Sequence, residues 1–334
     1  MTHPKLVESM IKPEFYPHAP NSVELIQTHI SFIFIAGDLV YKIKKPVDFG
    51  FLDFTTLEKR RFYVNEELRL NKRFSPDVYL GVIPISELNG TLILNDKSNI
   101  IEYALKMTRI NENHMLYKLL ESDKVTKDTM KRVGKHLARV YKSIPSDKRS
   151  QLFGKLDTIS TNVIENFDQT RKYIGGPVSD KVFNAIERWS KAFMKNNTAL
   201  FEKRIEHGCI KDCHGDLHLQ HICIEDNNIF IFDCIEFNER FRFGDVASDV
   251  AFLSMDFDYN GKNELGNTFI DAYIEASGDI GMKEVLLFYK VYRAYVRAKV
   301  TSFMLDDESI GDSDRENAFR NAKKYYDLAY EYVI

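Results

Sequence analysis

The sequence predicts an α+β chain of two lobes, an N-terminal antiparallel sheet lobe with one long helix and a mainly helical C-terminal lobe. Three observations predict it. Across residues 22–45 β-branched and aromatic residues alternate with polar ones and break at Gly37-Asp38, as in hairpin-connected strands. Across residues 55–74 Leu57, Phe62, Val64, Leu68 and Leu70 recur among charges, as on an amphipathic helix. From Leu116 onward helical patterns dominate and the strand pattern returns only once.

The elements follow in order. After the first strands, the loop 46–51 leads into the long helix, with Thr55 as its cap and Glu58 three residues on. Further strands are expected at 78–85, 91–94 and 100–109, the last ending in a polar connector. Helices are expected at 116–120, 126–144, 151–173 and 180–205. Residues 209–233 hold two short strands around the Asp226-Asn227-Asn228 turn. Helical patterns at 245–255, 264–275, 283–305 and 314–332 close the chain. The reading places an N-terminal lobe at residues 1–108 and a C-terminal lobe at 109–334, with no internal repeat of fixed period.

Bulk properties narrow the function classes. At about 100–200 residues per domain, 334 residues fit two domains or one bilobal unit. With 44% hydrophobic and 28% charged residues, and only 16 Gly and 9 Pro, the composition argues against disordered or collagen-like chains. The formal net charge is -3, which gives no support to a general role on nucleic acid or membrane surfaces. Residues 1–12 lack the apolar core of a leader, and the longest uncharged stretch, 25–37, is too short and too polar to span a bilayer. A cytoplasmic protein is expected. Cys209, Cys213, Cys223 and Cys234 crowd into one stretch without a C-x-x-C pair, so reduced thiols are expected rather than a disulfide framework.

The chemistry concentrates at His214-Gly215-Asp216-Leu217-His218-Leu219-Gln220-His221, followed after a strand, a turn and a strand by Phe232-Asp233. Buried carboxylates need partners, hydrogen bonds or a metal. A phosphoryl-transfer site supplies them: one Asp takes the substrate hydroxyl proton, while a second Asp and a residue five beyond the first hold the metal that bridges nucleotide phosphates. Asp216 is followed five residues on by His221 and seventeen on by Asp233.

These residues resemble the aminoglycoside phosphotransferase-like family, small-molecule kinases with the protein-kinase fold. His214-Gly215-Asp216 matches the family's H-G-D-x-x-x-x-N loop, with His221 where the family has Asn; Asp233 matches its downstream metal-binding Asp. Gly244-Asp245-Val246-Ala247-Ser248-Asp249 matches its G-D-x-x-x-D segment, whose two Asp cap a helix start and bond the catalytic loop. The nearest likeness within the family is to uncharacterised bacterial proteins sharing stretches such as FDCIEFNERF and KKPVDFGFLDF, some of which carry a further P-loop kinase domain. No G-x-x-x-x-G-K-[ST] occurs here, so the stand-alone form is expected.

The resemblance implies a bilobal protein-kinase-like fold, ATP and Mg²⁺ as cofactors, and a small-molecule hydroxyl acceptor as partner. It makes Asp216 the catalytic base and Asp233 a metal ligand. Lys42 is the favoured phosphate-contacting lysine, with Lys44 on the same strand face as the alternative, and Glu67 on the long helix is its partner. Met107 and Thr108 are adenine candidates by position, and Ser31 a phosphate candidate in the glycine-free turn 28–31. Imidazole suits Mn²⁺ better than Mg²⁺, so Mn²⁺ is an alternative metal if His221 is a ligand. Tyr289, Arg293, Arg297 and Thr301 recur at i, i+4 spacing, where the arginines read either an anionic substrate or acids of their own lobe. Two other classes compete: a non-catalytic nucleotide-binding module, and a zinc-dependent hydrolase using His214, His218, His221, Cys209, Cys213 or Asp216.

Overall fold

The computed structural model describes residues 4–334. A short helix α1 (Pro4–Met10) precedes β1 (Val23–Gln27), β2 (Ser31–Ala36) and β3 (Leu39–Lys44), which are joined by tight turns. Gly37 makes the second turn with φ +65°, a conformation that costs glycine nothing. Helix α2 (Leu57–Asn71), then β4 (Tyr79–Leu88), β5 (Thr91–Leu94), β6 (Ile100–Thr108) and helix α3 (Leu116–Glu121) follow. The six strands form one antiparallel sheet in the order β1-β2-β3-β6-β4-β5.

Helix α2 starts one residue later than its sequence pattern indicates. Thr56, not Thr55, caps it by accepting from the Lys59 amide, because the Thr55 hydroxyl is already given to Asp53 Oδ1 at 2.6 Å.

The chain continues through α4 (Lys127–Ser143), α5 (Lys148–Gln151), α6 (Leu156–Thr170), α7 (Asp180–Asn196), α8 (Thr198–Glu206) and β7 (Ile210–Asp212). The hairpin β8 (Ile222–Glu225) and β9 (Asn228–Ile231) and the short helix α9 (Glu239–Arg242) come next. Strand β10 (Phe243–Asp245) and helices α10 (Val246–Tyr259), α11 (Asn263–Ser277), α12 (Met282–Phe303) and α13 (Asp312–Glu331) complete it. Two of the long helical patterns are broken. The first is interrupted by a tight turn at Gly154, where an added Cβ would lie 2.4 Å from the Ile210 side chain; the second is interrupted at Asn197.

The chain separates into two compact units. One runs up to Ser122 and also takes in Gln220–Arg242; the other comprises Asp123–Leu219 and Phe243–Ile334. The first unit therefore extends past residue 108 and includes the β8-β9 hairpin.

Each unit has its own core. In the first, period-2 alternation gives the sheet two apolar faces. Phe34, Ala36, Tyr41, Ile43, Ile85 and Ala104 pack with Leu6 and Met10 of α1, while Val64, Val78, Tyr79 and Leu105 form a second cluster that Phe230 and Phe232 join. In the second unit α10 is the central helix: every residue from Val246 to Phe257 is buried, as expected of a helix that is apolar nearly all round. All four cysteines are buried free thiols. No helix among the described residues is long and apolar enough to cross a membrane.

Helices α4 and α11 approach closely at Gly134. A Cβ there would lie 2.7 Å from the Phe269 carbonyl oxygen and 2.9 Å from the Tyr273 amide nitrogen, both backbone atoms that cannot rotate away. Overpacking of this kind costs about 1–3 kcal/mol, against the ~1 kcal/mol of helix propensity that alanine gains over glycine. Gly134→Ala is expected to lower the urea unfolding midpoint, with a net loss of about 1 kcal/mol; an unchanged or higher midpoint would show that the helices separate freely.

Candidate functional site

In the first unit, strand alternation puts Val40, Lys42 and Lys44 on the face of β3 opposite Tyr41 and Ile43. Glu67 meets them from α2, one carboxylate oxygen to each lysine. Lys42 Nζ lies 2.8 Å from Glu67 Oε1, and Lys44 Nζ lies 2.7 Å from Glu67 Oε2. Each lysine has a second acid: Lys42 Nζ is 2.7 Å from Asp233 Oδ1, and Lys44 donates to Glu236 Oε1.

Five ionisable groups thus share one location. Burial alone would lower the Lys42 ammonium, but Asp233 and Glu67 outweigh it and hold Lys42 well above the usual lysine range. Burial would raise the Glu67 carboxyl, and Lys42 with Lys44 outweighs it in the other direction, so Glu67 stays ionised. Burial does push the Glu236 carboxyl up, even beside Lys44.

Asp233 is held by its backbone. It adopts φ +66°, a left-handed conformation that few non-glycine residues take and that tends to occur where surrounding bonds enforce it. Its amide donates to the Tyr79 hydroxyl at 3.1 Å, and the Cys234 amide donates to Asn71 Oδ1 at 2.9 Å. The Ser75 hydroxyl bonds both the carbonyl and the amide of Ile231, at 2.7 and 2.8 Å. His221 approaches from the start of β8, with Nε2 3.7 Å from Asp233 Oδ2.

The other residues singled out in this unit are Ser31, Met107 and Thr108. Ser31 pairs with Lys44 across β2 and β3, and its buried hydroxyl has no hydrogen-bond partner among the described residues. Met107 packs beside Tyr79 and Leu105. The Thr108 amide donates to the Val78 carbonyl at 2.9 Å, which commits the donor that an adenine would use.

In the second unit the His214-Gly215-Asp216 loop is moulded on Asp249. Its Oδ2 accepts from the His214 amide at 2.8 Å, its Oδ1 from the Gly215 amide at 3.2 Å, and the Tyr141 hydroxyl donates to it as well. Gly215 takes φ +89°. Arg293 joins this loop to α10: it bonds the Gly215 carbonyl at 2.8 Å, and Ser248 Oγ at 2.9 Å and Asp249 at 3.4 Å on the helix. Of the two readings of the α12 arginines, Arg293 takes the internal one. Asp245 caps α10 by accepting from the Ala247 amide and also binds Arg204 through both oxygens.

Around Asp216, the buried His218 places Nε2 3.4 Å from Asp216 Oδ2, and the Asp216 amide donates to His214 Nδ1 at 3.3 Å. Of the cysteines drawn into the zinc reading, Cys209 has its thiol pushed up to about 12 by burial, and Cys213 donates to the Gly244 carbonyl at 3.3 Å. Both are placed as packed thiols.

Sequence reading missed Glu236, Tyr79 and Asn71. Glu236 had one signal, an acid amid the apolar residues that follow Asp233; Tyr79 acts through its hydroxyl and Asn71 through its side-chain amide, and neither leaves a pattern.

No protein-family model matches the chain. Solved structures show its fold, the protein-kinase-like fold of aminoglycoside phosphotransferases and choline kinases. A choline kinase from Cryptosporidium parvum Iowa II superposes with a TM-score of 0.59 at 12% identity, covering 98% of this chain and 96% of that one. An amicoumacin kinase in complex with AMP-PNP, Ca²⁺ and Ami gives 0.54 at 11% identity, covering 97% and 93%. The GDP complex of aminoglycoside 2'-phosphotransferase-IIIa gives 0.52 at 11% identity, covering 97% and 99%.

In sequence, the chain is 31% identical over 278 residues to uncharacterised proteins of Mycobacterium bovis and Mycobacterium tuberculosis, covering 83% of this chain and 54% of each relative. It spans about half the length of these curated relatives.

The carboxylate of Asp249 neutralises Arg293 and accepts two loop amides at once. Asp249→Asn removes the charge and turns an NH₂ toward donors, and breaking a buried pair in this way costs about 3–5 kcal/mol. The expected outcome is a fall of that size in urea unfolding stability. A change under about 1 kcal/mol would show that the loop does not depend on this carboxylate.

Proposed function

We propose that the chain is an ATP-dependent phosphotransferase that moves the γ-phosphate onto a hydroxyl of a small molecule. The observation that carries this reading is the Lys42 ammonium held between Glu67 and Asp233, at 2.8 and 2.7 Å. Phosphoryl transfer requires a fixed cation for phosphate oxygens and, beside it, a carboxylate able to take a metal. The nucleotide complexes among proteins of the same fold support it.

In this reading Lys42 contacts the nucleotide phosphates, Glu67 keeps it charged and aimed, and Met107, Thr108 and Ser31 border the nucleotide, with the Thr108 amide kept by Val78 and not given to the adenine. Asp216 accepts the proton of the acceptor hydroxyl, and His218 Nε2, 3.4 Å from Asp216 Oδ2, orients it. Catalysis is positioning and charge neutralisation, with no covalent enzyme intermediate. Asp233 and His221 would hold a divalent cation, which would supply positive charge against the phosphate oxygens. The donor set fits one ion, since Asp233 Oδ2 and His221 Nε2 are 3.7 Å apart. A carboxylate with an imidazole suits Mn²⁺ better than Mg²⁺, which prefers oxygen alone.

His221 also favours a second reading, a non-catalytic nucleotide-binding module. A metabolite-pool screen with isotopically labelled ATP separates the two. Label appearing on a hydroxyl compound supports the transferase, whereas AMP-PNP binding without transfer in Mg²⁺ or Mn²⁺ supports the module.

With an acceptor in hand, Asp216→Asn is expected to keep AMP-PNP affinity and lose transfer by roughly 10²–10⁴-fold; retained turnover would remove Asp216 from the role of base. Replacement of the imidazole by an oxygen donor gives a further test. His221→Asn is expected to shift the metal preference from Mn²⁺ toward Mg²⁺ in the same assay, and an unchanged Mn²⁺/Mg²⁺ ratio would mean that His221 is not a ligand.

A further inference from the structure

We propose that Lys44 and Glu236 are a positioning pair that holds Glu67 by its second carboxylate oxygen, leaving Lys42 able to engage phosphate without stranding a buried charge. The proposal rests on the nucleotide reading above and adds residues that reading does not need.

The two lysines of β3 share a face and a partner, yet their surroundings differ. The Lys44 side chain is 2% exposed and that of Glu67 1%. Lys44 Nζ lies 2.7 Å from Glu67 Oε2, donates to Glu236 Oε1, and sits 4.8 Å from the centre of the Phe54 ring. Its charge is satisfied inside the protein. Lys42 is 15% exposed and touches Asp233, which is 44% exposed, so it occupies the open side of the cluster.

The division has an energetic reason. With a single lysine, Glu67 would lose its only counter-charge whenever that lysine turned toward a phosphate oxygen, and an unpaired buried carboxylate is strongly unfavourable. Lys44 removes that cost by remaining on Oε2. Glu236 in turn keeps Lys44 from moving off, and its own backbone is fixed by Arg242, which donates to the carbonyls of Ile235 and Glu236 at 3.0 and 3.3 Å. The cluster's formal charge, two lysines against Glu67, Glu236 and Asp233, is -1 before a metal or nucleotide binds.

The test removes the pair while sparing the fold. Replacing a buried ion pair by apolar residues of similar volume is often neutral for stability, so the double variant Lys44→Met/Glu236→Leu is compared with wild type and with Lys42→Met. Binding of AMP-PNP with Mn²⁺ and of adenosine alone is measured by calorimetry, alongside thermal unfolding. The double variant is expected to unfold near the wild-type temperature, to bind adenosine unchanged, and to bind AMP-PNP roughly tenfold more weakly, the size of one charge-assisted hydrogen bond. Lys44→Arg with Glu236 intact is expected to restore AMP-PNP affinity.

Unchanged AMP-PNP affinity in the double variant, or a parallel loss of adenosine affinity, would overturn the positioning role. If Lys42→Met binds AMP-PNP normally while the double variant does not, the lysine roles are reversed and the proposal is again wrong. Failure of the wild-type chain to bind AMP-PNP at all would instead overturn the nucleotide reading, and this inference with it.

Discussion

The first unit is organised by one constraint: a buried carboxylate must keep a counter-charge. Glu67 meets it by facing Lys42 with Oε1 and Lys44 with Oε2. The consequences run outward along α2. Fixing Glu67 to β3 sets where α2 lies against the sheet, and Asn71, one turn further, donates from its side chain to the Glu67 carbonyl at 2.8 Å. That same Asn71 accepts from the Cys234 amide, and Ser75 just beyond the helix clasps Ile231. The position of Asp233 is therefore a property of the helix that carries Glu67. Its left-handed backbone is supported from both sides by these bonds, which is how a conformation costing ~1–3 kcal/mol persists.

The second unit applies the same physics to a loop instead of a helix. Asp249 lies in α10, the most buried helix of that unit, where a lone carboxylate would be excluded. It is retained because Arg293, Tyr141 and two backbone amides satisfy it. Those amides belong to His214 and Gly215, so the charge that has to be satisfied is also the template on which the Asp216 turn is shaped. Arg293 closes the arrangement by bonding the Gly215 carbonyl, which leaves the loop little freedom to adopt another conformation.

The alternating strands and amphipathic helices of this structure were readable in the sequence, because burial enforces periodicity. Thus β5 occupies 91–94, where alternation placed a strand, and β8 and β9 flank the Asp226-Asn227-Asn228 turn. Periodicity was blind to interruptions set by tertiary contact. The helical pattern across 151–173 has no internal sign that Gly154 must meet Ile210, and the cap of α2 moved by one residue because Asp53 had taken the Thr55 hydroxyl. At the site, Lys42, Glu67, His221 and Asp233 were visible as charged or imidazole groups at meaningful spacings, and they meet in the first unit. Lys42 and Lys44 stay alternatives in one dimension, where nothing shows that one strand face presents both lysines to the two oxygens of one carboxylate. Glu236 escaped for the same reason, since its importance comes from Lys44 and not from anything beside it in the chain.

Exposure sorts the acids of the two units by role. Glu67, Glu236, Asp245 and Asp249 are buried, and each is matched to a cation by direct contact. Such groups are consumed in holding the protein together, because any ligand would have to displace a partner already in place. Asp233 and Asp216 differ, with side chains 44% and 35% exposed. Each touches a group that can adjust, Lys42 in one case and His218 in the other, and each sits in a segment fixed by bonds to its backbone. A carboxylate whose backbone is rigid and whose oxygens remain accessible can take up a metal or a proton without reorganising its surroundings, which is the condition for electrostatic catalysis. The buried acids secure that rigidity, so the proposed chemistry and the fold draw on one set of charges divided by depth.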